Sequence, residues 1–322
     1  MDLRQLRYFA EIVEAGSLSK AALNLRVAQP ALSQHVRHME EELAVALLHR
    51  GTQGVVATEA GQRLYLSARR ILAEFAELPD SVRGEAVAPR GEVRFGMPAT
   101  VGEQLAVPLI EAAKARYPDI RIRVVEAMSG YVLDWLKSGE VDLAMIYGTS
   151  DPRGLAVHHA LSEEICLFAA STAASTPPPW GEGSGVGVSL RDTVTLPLIV
   201  PGPGHGLRDL IEAAALSADV SIAPAVEIDS YNQIKRLVLR GLGYGILPLT
   251  AIQAEADTFH VWRFADPPLT RKVYLAYSTE RPLLHAPRAI GQLAWEVLRQ
   301  LVRDNAWAAE LTGDDNAPAL WS

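Results

Sequence analysis

The chain has 322 residues, of which 49% are hydrophobic and 21% charged, so it is long and apolar enough for two or three packed domains. No segment approaches the roughly 20 uninterrupted apolar residues that a membrane-spanning helix needs, which excludes a protein that crosses a membrane with helices. The single cysteine, Cys166, excludes an intrachain disulfide and a cysteine-rich zinc site, and its apolar neighbours predict a buried strand thiol.

The negative charge of the chain is unevenly distributed. The formal net charge is −8, yet residues 1–58 carry six basic and six acidic side chains, so the excess acid belongs to residues 59–322. Acidic residues are absent from 15–39 and from 43–58, which favours a polyanionic partner for this part of the chain. The N-terminus lacks the basic and apolar regions of a signal peptide, so we expect a cytoplasmic protein.

The N-terminal segment predicts three short amphipathic helices. Apolar residues recur at helical spacing from Leu3 to Val13, and after a break at Gly16 the pattern resumes from Leu18 to Leu25. The third helix begins near Gln29, with a proline in its first turn. Its outer stripe is polar and free of acid, which is typical of a helix that reads bases in the major groove. The residues predicted to face DNA are Gln29, Pro30, Ser33, Gln34 and Arg37.

A wing and a longer helix follow the third helix. A glycine-bracketed turn at 50–54 and a short β segment complete a winged helix-turn-helix unit. The next helix, from about Thr58, carries an apolar stripe at alternating spacings of four and three, the pattern of a short coiled coil. We predict that the stripe pairs with a second copy of the chain and ends at Pro79; packing against its own domain is the alternative. The stripe consists of Leu64, Ala68, Ile71, Phe75 and Leu78.

The remaining chain has the pattern of an α/β protein. From Gly91 onward, strand-like segments alternate with helical ones, which predicts two α/β lobes with largely parallel sheets. The proline- and glycine-rich segment 171–189 is typical of a mobile surface insertion, and the tail from Asp304 looks weakly ordered unless Trp307 and Trp321 anchor it. The predicted divisions are a winged domain (1–58), a linker helix and hinge (59–88, with the hinge reaching 91), an effector domain (89–303, with lobe I at about 89–160 and 268–303 and lobe II at about 161–267) and a tail (304–322).

Loops that follow the predicted strands point to a ligand cleft. In an open α/β sheet, ligands bind where the carboxyl ends of strands meet helix N-termini. Such termini favour anions, so we expect a small anionic effector, to which Arg208 could add a contact if it faces inward. The same hydroxyls could merely cap helices, His205 could lie in a solvated loop, and the cleft could be empty. The predicted effector-binding residues are Thr100, Ser129, Gly130, Pro201, His205 and Ser230.

Enzyme signatures are missing from the sequence. It contains no phosphate-binding loop, zinc-binding helix, EF-hand ligand series or nucleophile elbow, so we predict no catalytic residues, no metal site and no cofactor. The glycines of 202–206 precede a helix but lack the order of a dinucleotide-binding motif. A small-molecule binding or transport module and an enzyme built on the two lobes remain as alternatives. A periplasmic receptor would need an export signal.

The N-terminal part resembles the winged helix-turn-helix and linker of LysR-type transcriptional regulators through the segment AEIVEAGSLSKAALNLRVAQPALSQHVRHMEEELAVALLHRGTQGVVATEAG. The two lobes are similar to the periplasmic-binding-protein-like effector domain of that family, and the segment from Gly96 to Gly148 is similar to its nitrogen-assimilation-control subgroup. The resemblance implies a regulator that binds specific double-stranded DNA, responds to a small molecule, forms a homodimer or homotetramer and can meet RNA polymerase. It also implies DNA contacts at Ala28, Arg50, Thr52 and Gln53.

Several positions depart from the family pattern. Ala28 replaces a usual serine, which removes a helix cap that contributes ~1 kcal/mol and a phosphate contact, so we expect lower affinity. Gln34 stands where the family often has arginine, which exchanges a guanine reader for a side chain suited to adenine. Ala44 and Ala46 replace the glycine and proline of the turn after the third helix, so the resemblance does not fix the pose of the wing.

Overall fold

The fold is taken from a computed structural model, which describes residues 1–51, 54–83, 88–148, 151–171, 187–265 and 267–312. The described chain forms two compact units. The first contains Met1–Gly91 with Ser138–Glu140, and the second contains Glu92–Lys137 and the described residues from Val141 onward. No helix in the described ranges is both long and apolar enough to cross a membrane.

Helix caps set the boundaries of the first unit. The Asp2 carboxylate accepts a hydrogen bond from the Gln5 amide at 2.8 Å, which caps the first helix. Gly16 ends that helix in the left-handed region, with φ of 61°, and Ser17 caps the next. The elements are α1 (Leu3–Ala15), α2 (Leu18–Leu25), α3 (Gln29–Leu43), β1 (Leu48–Gly51), β2 (Gly54–Ala57) and α4 (Glu59–Arg83).

The first unit has its own hydrophobic core. One face of α1 and one face of α3 are buried in it, represented by Phe9, Ile12, Leu32 and Met39. Each set recurs at helical spacing, so burial of these stripes leaves the opposite face of each helix in water. The short hairpin of β1 and β2 packs on the same core through Leu48 and Val55.

The second unit is built on mixed strands and covering helices. Its first part consists of β3 (Gly91–Pro98), α5 (Ala99–Arg116), β4 (Ile120–Ala127), α6 (Ser129–Ser138), β5 (Leu143–Ile146) and β6 (Leu155–Ala170). The second part consists of α7 (Leu190–Thr193), β7 (Leu198–Val200), α8 (Gly206–Ser217), β8 (Val226–Glu227), α9 (Tyr231–Leu239), β9 (Tyr244–Pro248), α10 (Leu249–Ile252), a 3₁₀-helix (Gln253–Thr258) and β10 (Phe259–Arg263). The last elements are β11 (Thr270–Ser278), α11 (His285–Arg303) and β12 (Ala309–Leu311).

A ten-stranded sheet runs through the described part of this unit in the order β4-β3-β5-β11-β6-β9-β7-β8, and β10 and β12 also pair with β6. The pairs β3–β5, β7–β8 and β7–β9 are parallel, whereas β11 is antiparallel to both β5 and β6. Two main cores lie along it, one around Phe95 and Leu293 and another around Phe168 and Ile211. The predicted two-lobed α/β architecture is confirmed. The expectation of a largely parallel sheet is wrong, because β6 and β11 run antiparallel to each of their described neighbours.

Strands β6 and β11 connect the two cores. The first half of β6 pairs with β11, and its second half pairs with β9 and β10. After β10 the chain returns along β11 to β5, and α11 packs in the same core as α5. The thiol of Cys166 is fully buried in β6, as expected, and burial raises its pKa.

Several expected boundaries differ from the structure. The apolar stripe was expected to end at Pro79, but helix α4 continues through this residue to Arg83. The proline lies exposed near the end of the helix, where water can satisfy the carbonyl it frees. The hinge does not reach 91, since Gly91 begins β3, and residues 84–87 lie outside the described ranges.

The structure describes the two ends of the predicted insertion and the first residues of the predicted tail. Residues 172–186 of the predicted insertion lie outside the described ranges, but Val188 is buried and Ser189 caps α7. The start of the tail is not weakly ordered, because β12 pairs with β6 and Trp307 is fully packed. The anchoring role predicted for Trp307 is confirmed, whereas Trp321 lies outside the described residues.

Candidate functional site

The predicted DNA-facing stripe of α3 lies on the exposed side of the first unit. Leu32, Val36 and Met39 anchor α3 in the core, which turns the opposite side of the helix outward. The first turn of α3 contains a proline and no acidic residue. The exposed residues are Ala28, Gln29, Pro30, Gln34 and Arg37, and Ser33 is half-buried.

An arginine of the wing joins this surface. The Arg50 guanidinium, on β1, donates from Nη1 to the Ser33 hydroxyl of α3 at 3.2 Å. The hairpin is held against the turn after α1, because the Val55 amide donates to the Gly16 carbonyl at 2.9 Å. A Cβ at Gly54 would lie 2.5 Å from that same carbonyl oxygen, so this close approach requires glycine.

The predicted wing residues Thr52 and Gln53 lie outside the described ranges. Arg50 is therefore the one predicted wing residue whose position relative to α3 is described. Its exposed guanidinium and the exposed Arg37 put positive charge on a face that carries no acid along residues 15–39. Such a face can contact both base edges and phosphate groups of a duplex.

The departures from the family pattern alter the two ends of α3. Ala28 makes no side-chain cap, as expected, and Ala44 ends the helix in the left-handed region with φ of 52°. The Glu40 carboxylate accepts from the amides of Leu47 and Leu48, and the Thr58 hydroxyl donates to the Ala46 carbonyl at 2.7 Å. Sequence reasoning missed Glu40, because the two amides that donate to it lie seven and eight residues away, outside helical periodicity.

The apolar stripe of α4 divides into two parts. Ala68 is 0% exposed inside the core of its own unit, and Leu64 and Ile71 pack partly against that core. The expectation that Ala68 belongs to a seam between two chains is therefore wrong, because α1 and its neighbours already cover that position. Phe75 and Leu78 remain 57% and 54% exposed.

Five of the six predicted effector residues are described in full, and each follows a strand of the second unit. Ser129 begins α6, and only its backbone is described. Thr100 and Gly130 lie in the first turns of α5 and α6, and Pro201 follows β7. His205 and Ser230 are the N-cap residues of α8 and α9.

Some of these groups already have structural partners. The Ser230 hydroxyl accepts from the Gln233 amide, and Nδ1 of His205 accepts from the Leu207 amide at 3.2 Å. Arg208 is also paired: it donates to Glu212 at 2.6 Å, to Glu227 at 2.8 Å and to the Pro201 carbonyl at 3.2 Å. Arg208 therefore pairs with carboxylates of its own lobe and contacts one predicted effector residue, Pro201, so its contact with an effector stays a prediction.

A chain of contacts nevertheless connects Thr100 with His205. The hydroxyls of Thr100 and Tyr147 are hydrogen-bonded, and the Tyr147 ring centroid lies 3.8 Å from Cζ of Arg271. Nη1 of Arg271 donates to the Tyr231 hydroxyl at 3.3 Å. The Tyr231 ring lies 5.6 Å from the His205 ring, centroid to centroid. The predicted residues of the two lobes therefore meet around Arg271.

Burial controls the protonation of this cluster. It raises the pKa of Tyr147 and of Tyr231, so both phenols stay protonated. Burial lowers the pKa of His205, against the opposing influence of Asp229, so the ring is neutral near pH 7 and Nδ1 can accept a hydrogen bond.

Arg271 is paired with a buried carboxylate on the neighbouring strand. Glu163 lies opposite Arg271 in the ladder of β6 and β11, and Oε2 of Glu163 accepts from Nε at 3.0 Å and from Nη2 at 2.6 Å. Burial by itself lowers the pKa of Arg271, but Tyr147, Glu163 and Tyr231 more than offset it, so the guanidinium stays charged. The second oxygen of Glu163 accepts from Nε1 of Trp307 at 2.9 Å.

Sequence reasoning missed Tyr147, Tyr231 and Arg271. One signal was present: Arg271 alternates in phase with the buried Val273 and Leu275, and a charge on the inner face of a strand calls for a partner. Tyr147 and Tyr231 look like ordinary aromatic residues at the ends of apolar segments, so the sequence alone gives them no distinctive pattern.

Comparison with known proteins identifies the family. The description "Bacterial regulatory helix-turn-helix protein, lysR family" matches residues 3–62, and "LysR substrate binding domain" matches residues 86–299. The chain belongs to the LysR family of regulators. The LysR-family match assigns a DNA-binding helix-turn-helix to the first unit and a ligand-binding domain to the second.

Relatives in the LysR family are transcriptional regulators. The chain is 30% identical over 305 residues to the nitrogen assimilation regulatory protein nac of Klebsiella aerogenes, which covers 94% of this chain and 95% of that protein. It is 31% identical over 281 residues to a probable hydrogen peroxide-inducible genes activator of Streptomyces viridosporus, which covers 86% and 88%. These similarities confirm the resemblance and the DNA-binding regulatory function expected from the sequence.

Solved structures share the fold. A full-length OxyR variant from Pseudomonas aeruginosa has a TM-score of 0.74 at 24% identity and covers 93% of this chain and 95% of its own. Full-length CbnR in complex with its target DNA has a TM-score of 0.60 at 20% identity and covers 93% and 99%. The likeness confirms the arrangement of an N-terminal helix-turn-helix domain and a two-lobed α/β effector domain.

Proposed function

We propose that two copies of this chain read a duplex DNA site with α3 and the wing, and that a small molecule bound in the second unit adjusts this binding. The observation that carries the proposal is the exposed, acid-free face of α3, tied to the wing by the Arg50–Ser33 hydrogen bond. On this face Gln29 and Gln34 are placed to read base edges, because a carboxamide can donate to and accept from adenine.

The exposed end of α4 supports self-association. Phe75, Leu78 and Val82 are each more than half exposed, whereas the apolar face of the first half of the helix packs in the core of its own unit. A second α4 can bury this apolar surface and place two winged domains on one operator. A homodimer, paired further into a homotetramer, is the assembly we propose.

The effector is proposed to bind among the residues around Arg271. Thr100, in the first turn of α5, and His205, the N-cap residue of α8, are connected to this cluster. Helix N-termini and a buried arginine both favour a small anion. Gly130, at the start of α6, is a further candidate. We further propose that the protein works in the cytoplasm, catalyses no reaction, needs no cofactor and meets RNA polymerase at its promoters.

A gel shift at two salt concentrations tests the DNA-binding proposal. We expect affinity for a specific duplex to fall steeply as salt rises, because Lys and Arg contacts release counterions from the phosphates. A small-molecule transport module or an enzyme with an incidental helical N-terminus would retain no duplex specificity at either concentration. That result would contradict the proposed function.

Thermal-shift screening tests the effector proposal. Small anions are screened against the parent and against Thr100→Val, which removes the hydroxyl bonded to Tyr147 while keeping the size of the side chain. A stabilising anion should lose much of its effect in Thr100→Val. An effect that is equally large in both proteins would place the binding site elsewhere.

A further inference from the structure

Arg271 is buried but uses only part of its hydrogen-bonding capacity. Its side chain is 3% exposed, and its acceptors among the described residues are Glu163 and the Tyr231 hydroxyl. A guanidinium carries five N–H groups, and Nε, Nη1 and Nη2 each donate one of them here. One N–H on each terminal nitrogen is therefore left without an acceptor in the described part of the chain. Desolvated N–H groups of this kind are costly unless a ligand or water accepts from them.

The arrangement leaves two adjacent nitrogens available to one ligand. Glu163 occupies the edge formed by Nε and Nη2, and the Tyr147 ring covers one face of the guanidinium plane at 3.8 Å. A planar carboxylate can accept from Nη1 and Nη2 together, which is the paired geometry that arginine favours. Thr100 is connected to the same cluster through Tyr147, and His205 is connected to it through Tyr231.

The C-terminal segment fixes the orientation of the arginine. Oε1 of Glu163 accepts from Nε1 of Trp307, and Oε2 accepts from Arg271. Each carboxylate oxygen is therefore held by a different residue. Glu163 also lies opposite Ala309 in the ladder of β6 and β12. Glu163 and Trp307 are each only 1% exposed, so loss of the indole N–H would free the carboxylate to rotate away from Arg271.

We propose that Arg271 binds a carboxylate group of the effector, and that Glu163 and Trp307 are positioning residues that hold its guanidinium for this contact. The inference rests on the proposed effector-sensing function and names the chemical class of the ligand. Because Glu163 already offsets the charge of Arg271, the site fits a monocarboxylate better than a dianion. The segment after α11 is then part of the sensing apparatus.

Full-length protein is titrated with acetate, butanoate and phenylacetate, each paired with its neutral amide, and the dissociation constants are measured by calorimetry. In the parent we expect at least one carboxylate to bind roughly tenfold more tightly than its amide. Arg271→Lys should remove most of this preference, since lysine keeps the charge but lacks the planar pair of donors.

Trp307→Phe tests the positioning role, with Trp295→Phe as the matched control. Both indoles are buried in the same unit, but Nε1 of Trp295 has no acceptor among the described residues. Trp307→Phe should lower the carboxylate-to-amide ratio about fivefold, the effect of one lost hydrogen bond, while Trp295→Phe leaves it unchanged. A purely structural effect would weaken the acid and the amide alike and leave the ratio constant.

Three outcomes would overturn the inference. The first is that no carboxylate binds the parent more tightly than its amide. The second is that the carboxylate-to-amide affinity ratio of Trp307→Phe equals that of Trp295→Phe. The third is that Arg271→Lys folds and keeps the full preference for the carboxylate. If Arg271→Lys does not fold, the ratio in Trp307→Phe decides alone. Specific DNA binding, measured in parallel by gel shift, would persist in each of these cases, so their result is distinguishable from failure of the proposed function.

Discussion

The winged domain and the α/β domain assemble their functional groups in different ways. The side chains of the first that we propose to face DNA come from one helix, within residues 29–37, and from a hairpin that follows it closely. The cluster around Arg271 instead draws on residues from Thr100 to Trp307, which lie on separate strands and helices. Helical periodicity is enough to reveal the first surface, whereas the second becomes visible only once the strand order is known.

The two regions also differ in how charge is held. Arg37 and Arg50 are exposed, where water screens them and each acts nearly alone. Arg271 and Glu163 are buried, where removal of one partner leaves an uncompensated charge. We therefore expect substitutions in the winged domain to affect binding with little loss of stability, and substitutions in the buried pair to affect stability strongly.

The largest effect should follow from Glu163→Gln. This change leaves the buried guanidinium of Arg271 without its counter-charge. It should lower the free energy of unfolding, measured by chemical denaturation, by about 3–5 kcal/mol. Glu164→Gln is the matched control, because its partner Arg263 is 64% exposed and such pairs contribute about 1 kcal/mol or less. Equal losses for the two neighbours would remove the contrast between buried and exposed charge.

The next effect concerns the exposed end of α4. Introducing charge by Phe75→Glu with Leu78→Glu should lower the oligomeric state in light scattering. It should also weaken binding to an operator with two half-sites by roughly a hundredfold or more, because two separate chains no longer bind the half-sites as one linked unit. Leu242→Glu, an exposed leucine of the second unit, is the control. An unchanged assembly in the double variant would exclude this surface as the interface.

Base reading should produce a smaller and more selective effect. Gln29→Ala and Gln34→Ala should each cost about 1–3 kcal/mol of discrimination at one position of the operator, measured by competition with single-base variants. Arg50→Ala should weaken all sequences alike and reduce the slope of affinity against salt by about one phosphate contact. If both glutamine variants discriminate as the parent does, α3 does not read the bases through these side chains.

The smallest effect is a pH dependence from His205. Its pKa is lowered in the fold by burial, so below its usual value near 6.5 the unfolded chain takes up a proton that the folded chain resists. The stability that the neutral His205 side chain contributes above that pH is lost as the pH falls. His205→Asn keeps a cap for the Leu207 amide without titrating, so its stability should fall less steeply between about pH 7 and 5. Identical slopes would show that His205 does not contribute.

Local patterns account for what the sequence revealed. The exposed residues of α3 were predicted because Leu32, Val36 and Met39 fix one side of the helix by their spacing. The same reasoning failed at Ala68, because periodicity marks an apolar face without saying whether the chain itself or a second copy covers it. It also ended the apolar stripe at Pro79, although α4 continues to Arg83, because an exposed proline near the helix terminus is tolerated.

Long-range contacts account for what the sequence concealed. The partners Glu163, Arg271 and Trp307 are separated by more than a hundred residues from the first to the last, and only the pairing of β11 and β12 with β6 brings them together. The pairing of Arg208 with Glu227, 19 residues further along the chain, was concealed in the same way.

Selection of duplexes from a random-sequence library by the full-length protein tests the central claim most directly. The account predicts that sequencing of the bound fraction gives one interrupted palindrome, with half-sites a whole number of helical turns apart. It also predicts that Gln29→Ala alters the preferred base at symmetric positions of both half-sites. Enrichment of no common sequence, or a motif that is the same for the parent and the Gln29→Ala and Gln34→Ala variants, would contradict it.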